Sequence, residues 1–529
     1  MLTEPFELPL SGLRADLTAL GAAGDVAAWL LTGMGVAVDV APRSGRSGAG
    51  RPGASPPGAG PGIVWVDADA CRPDRAVHRR LAARRLPVSG ARLRRSREAL
   101  SPAGLPEGTL AYATGIALAV GALAGLLCGG IVTVDEVAVA VEIRLPDVMA
   151  ASYGASNPLR PAPPIPARGG GFYHADLGAP GAPEDFERML GTLAGDVSAR
   201  ELAAQAQLWR LAVCDYRTRK HPPEPARTPV RFEAAPAAAT PGALASPGPF
   251  PRSGPRLDCL VVDLTSMWAG PLATRLLGDL GATVTKVEPA FRLDGTRAVA
   301  GGGIYPGGVQ VDPGRDSAMW NALNRWKLHE DLDLRDAAAV DRFVALAGSA
   351  DVVIDSFSPR VLSNLDIPGR VGAGLLWVSM PAFGPGDQRD WVAYGTGVHA
   401  QSGLGDTQSA SAGAERFHEP AVSYPDPLGG LTGALAVLAG LAARRMGRPV
   451  TRVEVSLDEA VQPLRSGVNG LASTGRGASP VPLSDISTLR CRCDREGRKL
   501  LELASGLGLT ATWDVGGRAL RHPSGLLRF

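Results

Sequence analysis

The sequence predicts an α/β protein in two similar halves, with a parallel sheet in the second. In that half, apolar β-type runs alternate with helical segments, which is typical of a parallel sheet covered by helices. Residues 222–256 are rich in Pro, Ala and Gly and separate the halves. Two short pieces of the first half recur in the second in the same order. We therefore expect one domain over 1–221, a linker over 222–256 and a second domain over 257–529.

The elements of the second half follow one another in a regular order. They are predicted as strands at Leu257–Thr265, Ala282–Val287, Asp351–Phe357 and Leu375–Met380, with helices at Pro271–Leu280, Ala337–Ala347 and Leu431–Arg445. Because ligands of parallel sheets bind beyond the carboxyl ends of the strands, we expect the site there.

The repeat rests on two pairs of segments, each predicted as a helix that leads into a strand. The pairs are Ala27–Val40 with Ala273–Val287, and Leu123–Leu126 plus Val141–Ile143 with Leu438–Leu441 plus Val453–Val455. The second pair places Ala111 opposite Asp426. Since the first half then lacks this carboxylate, we expect a degenerate copy that serves packing or assembly.

Composition argues against several kinds of partner. The 529 residues carry a formal net charge of +2, which provides no basic field for nucleic acid. The six cysteines are scattered and fit a reducing, cytoplasmic environment. We expect no metal, because the CxC of Cys491 and Cys493 has no nearby His. Leu110–Val134 is uncharged and long enough to cross a bilayer, but Ala and Gly dominate it, so we expect a buried segment and no membrane anchor.

The main candidate for chemistry is Asp426, which precedes a predicted helix. It is interpreted as the N-cap, with Pro427 at the first helical position. The positive end of a helix favours the anion that a nucleophile needs. Gly429 and Gly430 are expected to leave room for a substrate. A plain capping role explains the same residues, so the fragment permits covalent catalysis without requiring it.

An ordered set of segments in the second half resembles the family III CoA-transferases. The segments are WAGPLATRLLGDLGATVTKVEP (Trp268–Pro289), NRWK (Asn324–Lys327), LDLRD (Leu332–Asp336), ADVVIDSFSPRVL (Ala350–Leu362), YGTGVHAQSGL (Tyr394–Leu404), YPDPLGG (Tyr424–Gly430) and VEVSLDEA (Val453–Ala460). The resemblance implies a Rossmann-like domain in which Asp426 attacks an acyl-CoA thioester. It also implies transfer of coenzyme A to a carboxylic acid through an aspartyl mixed anhydride and an aspartyl-CoA thioester.

The resemblance further implies contacts with CoA. Two residues, Trp268 and Ala269, are placed near the cofactor, and the candidate ligands of its phosphates are Lys286, Arg297 and Arg325. Ser356 and Phe357 occupy the place beside the adenosine and pantetheine, although family members commonly have Asn where Ser356 stands.

Tyr394 favours transferase over racemase chemistry. Racemase members of the family usually have an acid/base His at this position, whereas transferase members often have Tyr. We expect His399, five residues further on, to be structural. Racemisation or epimerisation of a 2-substituted acyl-CoA, with Asp426 as acid/base, is one alternative. A CoA-binding pseudoenzyme is another, because the resemblance fades after about residue 475 and implies a C-terminally shortened transferase domain.

Members of this family form interlocked dimers, so the resemblance bears on assembly. Asp196–Tyr216, at the end of the first half, resembles the closing helix and strand of the family. Two halves that complete one another would form a pseudo-dimer within one chain; a homodimer is the other expectation.

Overall fold

The structure is a computed structural model. It describes residues 9–11, 13–18, 21–41, 63–67, 90–94, 100, 105–153, 164–176, 185–193, 195–218, 228–234, 256–297, 317–358, 361, 364, 367–371, 374–406, 417–465, 497–507, 509–515, 518–523 and 526–528. Its helices are α1 (Gly21–Gly33), α2 (Thr109–Cys128), α3 (Glu136–Ile143), α4 (Leu145–Tyr153), α5 (Phe186–Leu193), α6 (Ala199–Leu208), α7 (Ala269–Asp279), α8 (Ala318–Asn324), α9 (Ala337–Gly348), α10 (Ile367–Arg370), α11 (Gly395–Ser402), α12 (Pro425–Arg445), α13 (Leu457–Arg465) and α14 (497–506).

The strands form two large sheets and two small ones. They are β1 (Arg14–Thr18), β2 (Ala37–Ala41), β3 (Ile63–Asp67), β4 (Gly90–Arg94), β5 (Ile131–Asp135), β6 (Ile165–Pro166), β7 (Phe172–Ala175), β8 (Val213–Asp215), β9 (Arg231–Ala234), β10 (Leu260–Leu264), β11 (Thr283–Val287), β12 (Leu328–Glu330), β13 (Val352–Asp355), β14 (Leu376–Ser379), β15 (Val450–Glu454), β16 (Thr510–Val515), β17 (Arg518–Pro523) and β18 (Leu527–Arg528).

The second-half sheet confirms the α/β prediction. Its order is β12-β11-β10-β13-β14-β15-β9, and neighbours from β12 to β15 are parallel. Numbered along the chain, these six strands have the order 3-2-1-4-5-6, which is that of a doubly wound, Rossmann-like sheet. The strand order reverses between β10 and β13. A ligand is therefore expected beyond the carboxyl ends of these two strands.

Strand β9 corrects the predicted linker. Arg231–Ala234 lies inside 222–256, yet it pairs with β15 as the antiparallel edge of the sheet. The Arg231 guanidinium also forms ion pairs with Glu454 and Glu459. A segment without strand periodicity becomes a strand here because the open edge of β15 supplies its hydrogen-bonding partners.

The first-half sheet has the order β18-β5-β4-β3-β1-β2. β1 and β2 are parallel, as are β4 and β5, whereas β3 is antiparallel to both of its neighbours. β18, at the end of the second half, pairs with β5 as an antiparallel edge. The first-half sheet thus receives an edge strand from the second half, and the second-half sheet receives β9 from the segment that follows the first half.

Two long apolar helices connect the halves. α2 and α12 pack against each other, α1 packs on α2, and α7 packs on α12. Both long helices could cross a bilayer by length and hydropathy, but 83% and 94% of their most apolar windows are buried in the protein. Contact between the halves accounts for this hydropathy, and Leu110–Val134 comprises most of α2 followed by β5.

One predicted strand of the repeat is wrong. Val141–Ile143 belongs to α3, which begins after Asp135; the Asp135 carboxylate caps it by accepting from the Val137 N–H at 3.0 Å. An apolar run without alternation fits a buried helix as well as a strand, and the cap decides in favour of the helix. Glu142 of α3 then forms a buried ion pair with Arg275 of α7, across the two halves.

Candidate active site

Asp426 lies at the start of α12, inside the protein. The helix begins at Pro425 with Tyr424 as its N-cap, so Asp426 belongs to the first turn and is not the predicted cap. Its side chain is buried, with 7% of the residue exposed. The Oδ2 atom accepts from the Ser423 hydroxyl at 2.5 Å, and the carboxylate also accepts from the backbone N–H of Gly395. Two helix starts, those of α11 and α12, therefore meet at this carboxylate.

Glycine at position 395 is required by this close approach. A Cβ there would clash with Asp426 Oδ2 and Ser423 Oγ. Gly429 and Gly430 have a different role from the one expected, because they do not make room for a substrate. A Cβ on Gly430 would lie 2.7 Å from the carbonyl oxygen of Ala269, and one on Gly429 would lie 2.8 Å from Leu457. These two glycines let α12 pack on the start of α7 and on α13.

The protonation of Asp426 is set by burial. Burial, with a smaller contribution from the negative charge of Asp176, raises the pKa of its carboxyl to about 7, although the hydrogen bonds from Ser423 and Gly395 act in the opposite direction. The helix start was expected to favour the anion, but loss of solvation outweighs it. A carboxylate of raised pKa is more basic, and a substantial fraction is still ionised near neutral pH.

The first half contributes to the same site. Asp176 follows β7, is 3% exposed, and accepts from the Thr396 hydroxyl of α11 at 3.1 Å. The same oxygen lies 2.9 Å from Nε2 of His174, which is also buried. Neither residue was predicted, because both lie in the half interpreted as a degenerate copy. The only hint in the sequence was the family-like closing segment Asp196–Tyr216.

The expected CoA-contacting residues follow the two central strands. Ser356 comes directly after β13, and its hydroxyl oxygen accepts from the N–H of Ser266, beyond β10, at 3.4 Å. Trp268 is buried at the start of α7. Phe357 is partly buried and packs against the apolar cluster that contains Val262 of β10 and Phe343 of α9. Ala269 contacts Gly430, one turn along α12 from Asp426. The strand ends and Asp426 are therefore close neighbours.

Lys286 does not have the exposed position that a phosphate ligand requires. Its residue is 0% exposed, and the ammonium lies 3.0 Å from Asp294 and 2.7 Å from the carbonyl oxygen of Thr265. Burial alone would lower the pKa of Lys286, but the carboxylates of Asp294 and Asp263 raise it above its usual value. The Lys286 side chain therefore has a structural role, because it joins Thr265, just after β10, to Asp294.

A second buried lysine, Lys327 of the NRWK segment, was not singled out from the sequence. Its ammonium lies 2.9 Å from Asp263, 2.7 Å from the Thr274 hydroxyl and 2.7 Å from the Asn324 side-chain oxygen. Burial lowers the pKa of Lys327 to about 8, even though Asp263 acts in the opposite direction. The NRWK segment therefore supports the fold near α7.

The two candidate arginines lie on the loop and helix after β11. The Arg297 guanidinium carbon sits 3.7 Å from the centre of the Trp320 ring, and the group pairs with Glu288 at 2.5 Å. Arg325 is exposed at the end of α8. Their role as phosphate ligands stays a prediction, and Arg297 is already engaged by two protein groups.

Tyr394 is the N-cap residue of α11 and immediately precedes Gly395. Burial raises the pKa of its phenol well above the usual value, and the charges of Asp176 and Asp426 act in the same direction. His399 is buried, with Nδ1 2.9 Å from the Tyr424 hydroxyl and Nε2 3.0 Å from the His418 carbonyl oxygen. Burial lowers the pKa of His399 to about 3, so this ring has the structural role expected of it.

Across the residues that the structure describes, no cluster of three or more His, Cys, Asp or Glu is arranged to hold a metal ion. Cys491 and Cys493 lie outside those residues.

Comparisons with known proteins agree with the geometry. The sequence profile of CoA-transferase family III matches residues 258–477. Among curated proteins, an acetyl-CoA:oxalate CoA-transferase of Acetobacter aceti is 32% identical over 161 residues, which are 30% of this chain and 39% of that protein. A formyl-CoA:oxalate CoA-transferase of Afipia carboxidovorans is 29% identical over 208 residues, which are 38% of this chain and 46% of that protein. The chain thus spans less than half the length of these two relatives.

A solved structure gives a partial match. The crystal structure of a CAIB/BAIF family protein from Brucella suis is 25% identical, with a TM-score of 0.33, and the match covers 40% of this chain and 54% of that one. The profile match contains the Rossmann-like sheet and Asp426, and the family expected from the sequence segments is confirmed. Residues 258–477 of this chain are thus similar to CoA-transferase family III, and both curated relatives are CoA-transferases.

Proposed function

We propose that this protein transfers CoA from an acyl-CoA to a carboxylic acid, with Asp426 as the covalent nucleophile. The observation that carries the proposal is the placement of Asp426. It is a buried carboxylate of raised pKa, and it lies one helical turn from Gly430, which packs on the start of α7 after the central strand β10 of a doubly wound sheet. Such a site excludes water from an activated acyl group while keeping a nucleophile available.

The proposed chemistry balances without an added acid or base. The Asp426 carboxylate attacks the thioester carbonyl, the C–S bond breaks, and CoA leaves as a thiolate. The thiolate attacks the aspartyl carbonyl of the mixed anhydride, which releases the donor as a carboxylate and leaves an aspartyl-CoA thioester. The acceptor carboxylate attacks that thioester and expels the thiolate again. Attack of the thiolate on the acceptor carbonyl then forms the new acyl-CoA and restores the Asp426 carboxylate.

The donors around Asp426 can assist these steps. Ser423 and the Gly395 N–H already point at the carboxylate oxygens. When the aspartyl carbonyl is attacked, one of these oxygens becomes an oxyanion, which hydrogen-bond donors fixed in advance stabilise. Tyr394, next to Gly395, is proposed to line the thioester pocket as a neutral phenol.

For CoA, we propose that the cofactor lies across the carboxyl ends of β10 and β13. Trp268, Ala269, Ser356 and Phe357 would border it, and Arg297 and Arg325 would meet its phosphates. Lys286 is left out of this group because its buried pair with Asp294 occupies the ammonium.

We also propose that the first half is a degenerate copy of the second and that the chain is a pseudo-dimer. Each large sheet contains two neighbouring parallel strands joined by one helix, β1 and β2 in the first and β10 and β11 in the second. Each also has an antiparallel edge strand that comes from outside its own half. Within the described residues, the first turn of α2 carries no acidic residue where α12 carries Asp426. The chain would therefore hold one catalytic site.

The test is covalent trapping on the full chain. We would incubate it with acetyl-CoA, quench it with hydroxylamine or borohydride, and locate modified peptides by mass spectrometry. The expected result is a hydroxamate or a reduced side chain at Asp426, together with CoA transfer to oxalate or another acid from a mixture. Asp426→Asn should lose both.

Asp458→Asn is the matched control, because this half-buried carboxylate also lies near a helix start but accepts a hydrogen bond from Gln462. Intact transfer in Asp426→Asn would overturn the proposal. Binding of CoA without transfer to any acid would indicate a pseudoenzyme. Incorporation of solvent deuterium at the α carbon of the acyl group without CoA exchange would indicate a racemase. Racemase chemistry is not favoured, because Tyr394 stands in place of the acid/base His and His399 is buried and neutral.

A further inference from the structure

The His174–Asp176 pair is a buried polar pair that the proposed chemistry leaves unused. Both residues are 3% exposed, and they lie two positions apart at the end of β7 in the small first-half sheet. In the part of the chain that the structure describes, His174 Nδ1 and Asp176 Oδ2 have no hydrogen-bond partner. A buried polar group without a full set of partners is costly, so its retention calls for a reason.

The pair lies where first-half residues contact residues 392–400, the segment whose Gly395 N–H bonds to Asp426. Gln207 exchanges two hydrogen bonds of 2.8 Å with the backbone of Val392. Thr396 donates to Asp176 at 3.1 Å, and the N–H of Arg217 donates to the Ala400 carbonyl oxygen at 3.0 Å. These three contacts bracket residues 392–400, which include Tyr394 and Gly395. The Asp176 contact falls closest to Gly395.

Close packing holds the same segment against the first half. A Cβ on Gly397 would lie 3.1 Å from the Cys214 sulfur on β8, so α11 rests directly on the small sheet. The direction of α11, and with it the Gly395 N–H, is therefore set by first-half residues. A displacement of about 1 Å at a reacting group costs about 100-fold in rate.

Charge gives the pair a second effect. The groups that face Asp426 are Asp176 from the first half, Tyr394 from the start of α11, and the hydroxyl of Ser423 beside it. Of these, Asp176 carries a negative charge near Asp426, and that charge raises the pKa of Asp426 beyond the effect of burial. Arg292 lowers the pKa of the Tyr394 phenol, and Asp294 raises it.

We infer that Asp176, supplied by the first half, is a positioning residue for the proposed nucleophile Asp426. Through Thr396 it fixes the turn whose Gly395 N–H meets the carboxylate, and its charge makes that carboxylate more basic. His174 holds Asp176 in place from the strand side. The inference rests on the proposed function, and it means that the first half is needed for chemistry as well as for packing.

Two variants separate the two effects. Asp176→Asn removes the charge and keeps an oxygen that can accept from Thr396. We expect the acid limb of the kcat–pH profile to move to lower pH by roughly half a unit, because Asp426 then ionises more easily. Asp176→Ala also removes the oxygen that accepts the hydrogen bond from Thr396. We expect amide hydrogen exchange in the peptide 394–402 to become at least about 10-fold faster, with kcat falling more than KM changes.

Asp135→Asn is the control. Asp135 is also a buried first-half carboxylate, and Asn at this position still caps α3. It should change neither the pH profile nor exchange in 394–402. An unmoved acid limb in Asp176→Asn, with unchanged exchange in Asp176→Ala, would overturn the inference while leaving CoA transfer intact. If the wild-type chain transfers no CoA, exchange alone decides whether Asp176 positions α11, and the proposed function fails separately.

Discussion

At the scale of single residues, Asp426 links the proposed activity to stability. Its pKa in the folded protein is about 7, whereas an Asp in an unfolded chain titrates near 3.9. Between these values the native state binds more protons than the unfolded state, so stability falls as the pH rises through this interval. Above pH 7 the folded protein bears the full loss of stability that comes from ionising the buried Asp426. The proposed nucleophile is thus kept in a position that destabilises its own ionised form.

We therefore expect Asp426→Asn to stabilise the protein at alkaline pH. The free energy of unfolding should rise by roughly 1 to 4 kcal/mol at pH 8, and by much less near pH 4. Thermal unfolding at both pH values measures this. Asp185→Asn, at a half-exposed ion pair with Arg188, is the control and should have little effect. A variant less stable than wild type at pH 8 would contradict the assigned pKa.

Gly395 gives a second prediction at this scale. In Gly395→Ala the new methyl group clashes with Asp426 Oδ2, so the carboxylate must move. We expect kcat for CoA transfer to fall by about 100-fold with the fold retained. Gly348→Ala is the control, because a Cβ there meets nothing within 4 Å. Wild-type kcat in Gly395→Ala would show that the close contact between residue 395 and the Asp426 carboxylate is unimportant for turnover.

At the scale of elements, the start of α7 is held by a buried network around Asp263 and Lys327. Both side chains are fully buried, and Lys327 also bonds to the Pro271 carbonyl oxygen at 3.0 Å. Lys327→Met removes the cation that contacts the buried Asp263 carboxylate. We expect a loss of about 3 to 5 kcal/mol in unfolding free energy, measured by urea denaturation. In the double variant with Asp263→Asn, much of this loss should disappear, and additive losses would argue against the pairing.

The elements also show what sequence patterns predict well. Apolar runs predicted the strands β10, β11, β13 and β14 within a few residues, because these strands are largely buried in the sheet. Helical spacing predicted α7 and α9, because apolar side chains of each helix are buried in the protein. Strand β9 was missed because its hydrogen bonds come from β15 and leave no local pattern in Arg231–Ala234. Asp426 was found through its motif, whereas Asp176 was missed because only tertiary contacts bring it to α11.

At the scale of the whole molecule, the halves exchange edge strands and share a core. β9 completes the second-half sheet, β18 completes the first-half sheet, and α2 packs on α12 between them. Neither large sheet would keep its edge strand if the chain were divided between the halves. An exposed sheet edge and an uncovered apolar helix both favour aggregation.

This organisation predicts how fragments behave. Residues 1–235 and 236–529, coexpressed as separate chains, should copurify as a 1:1 complex with a mass near the 54.6 kDa of the intact protein. Either fragment alone should be insoluble, because it exposes α2 or α12. Moving the break to residue 228 leaves β9 on the second fragment and removes one exchanged strand, so this pair should dissociate more readily. Fragments that purify separately as soluble monomers would contradict a pseudo-dimer, and an intact chain of twice the mass would identify a homodimer.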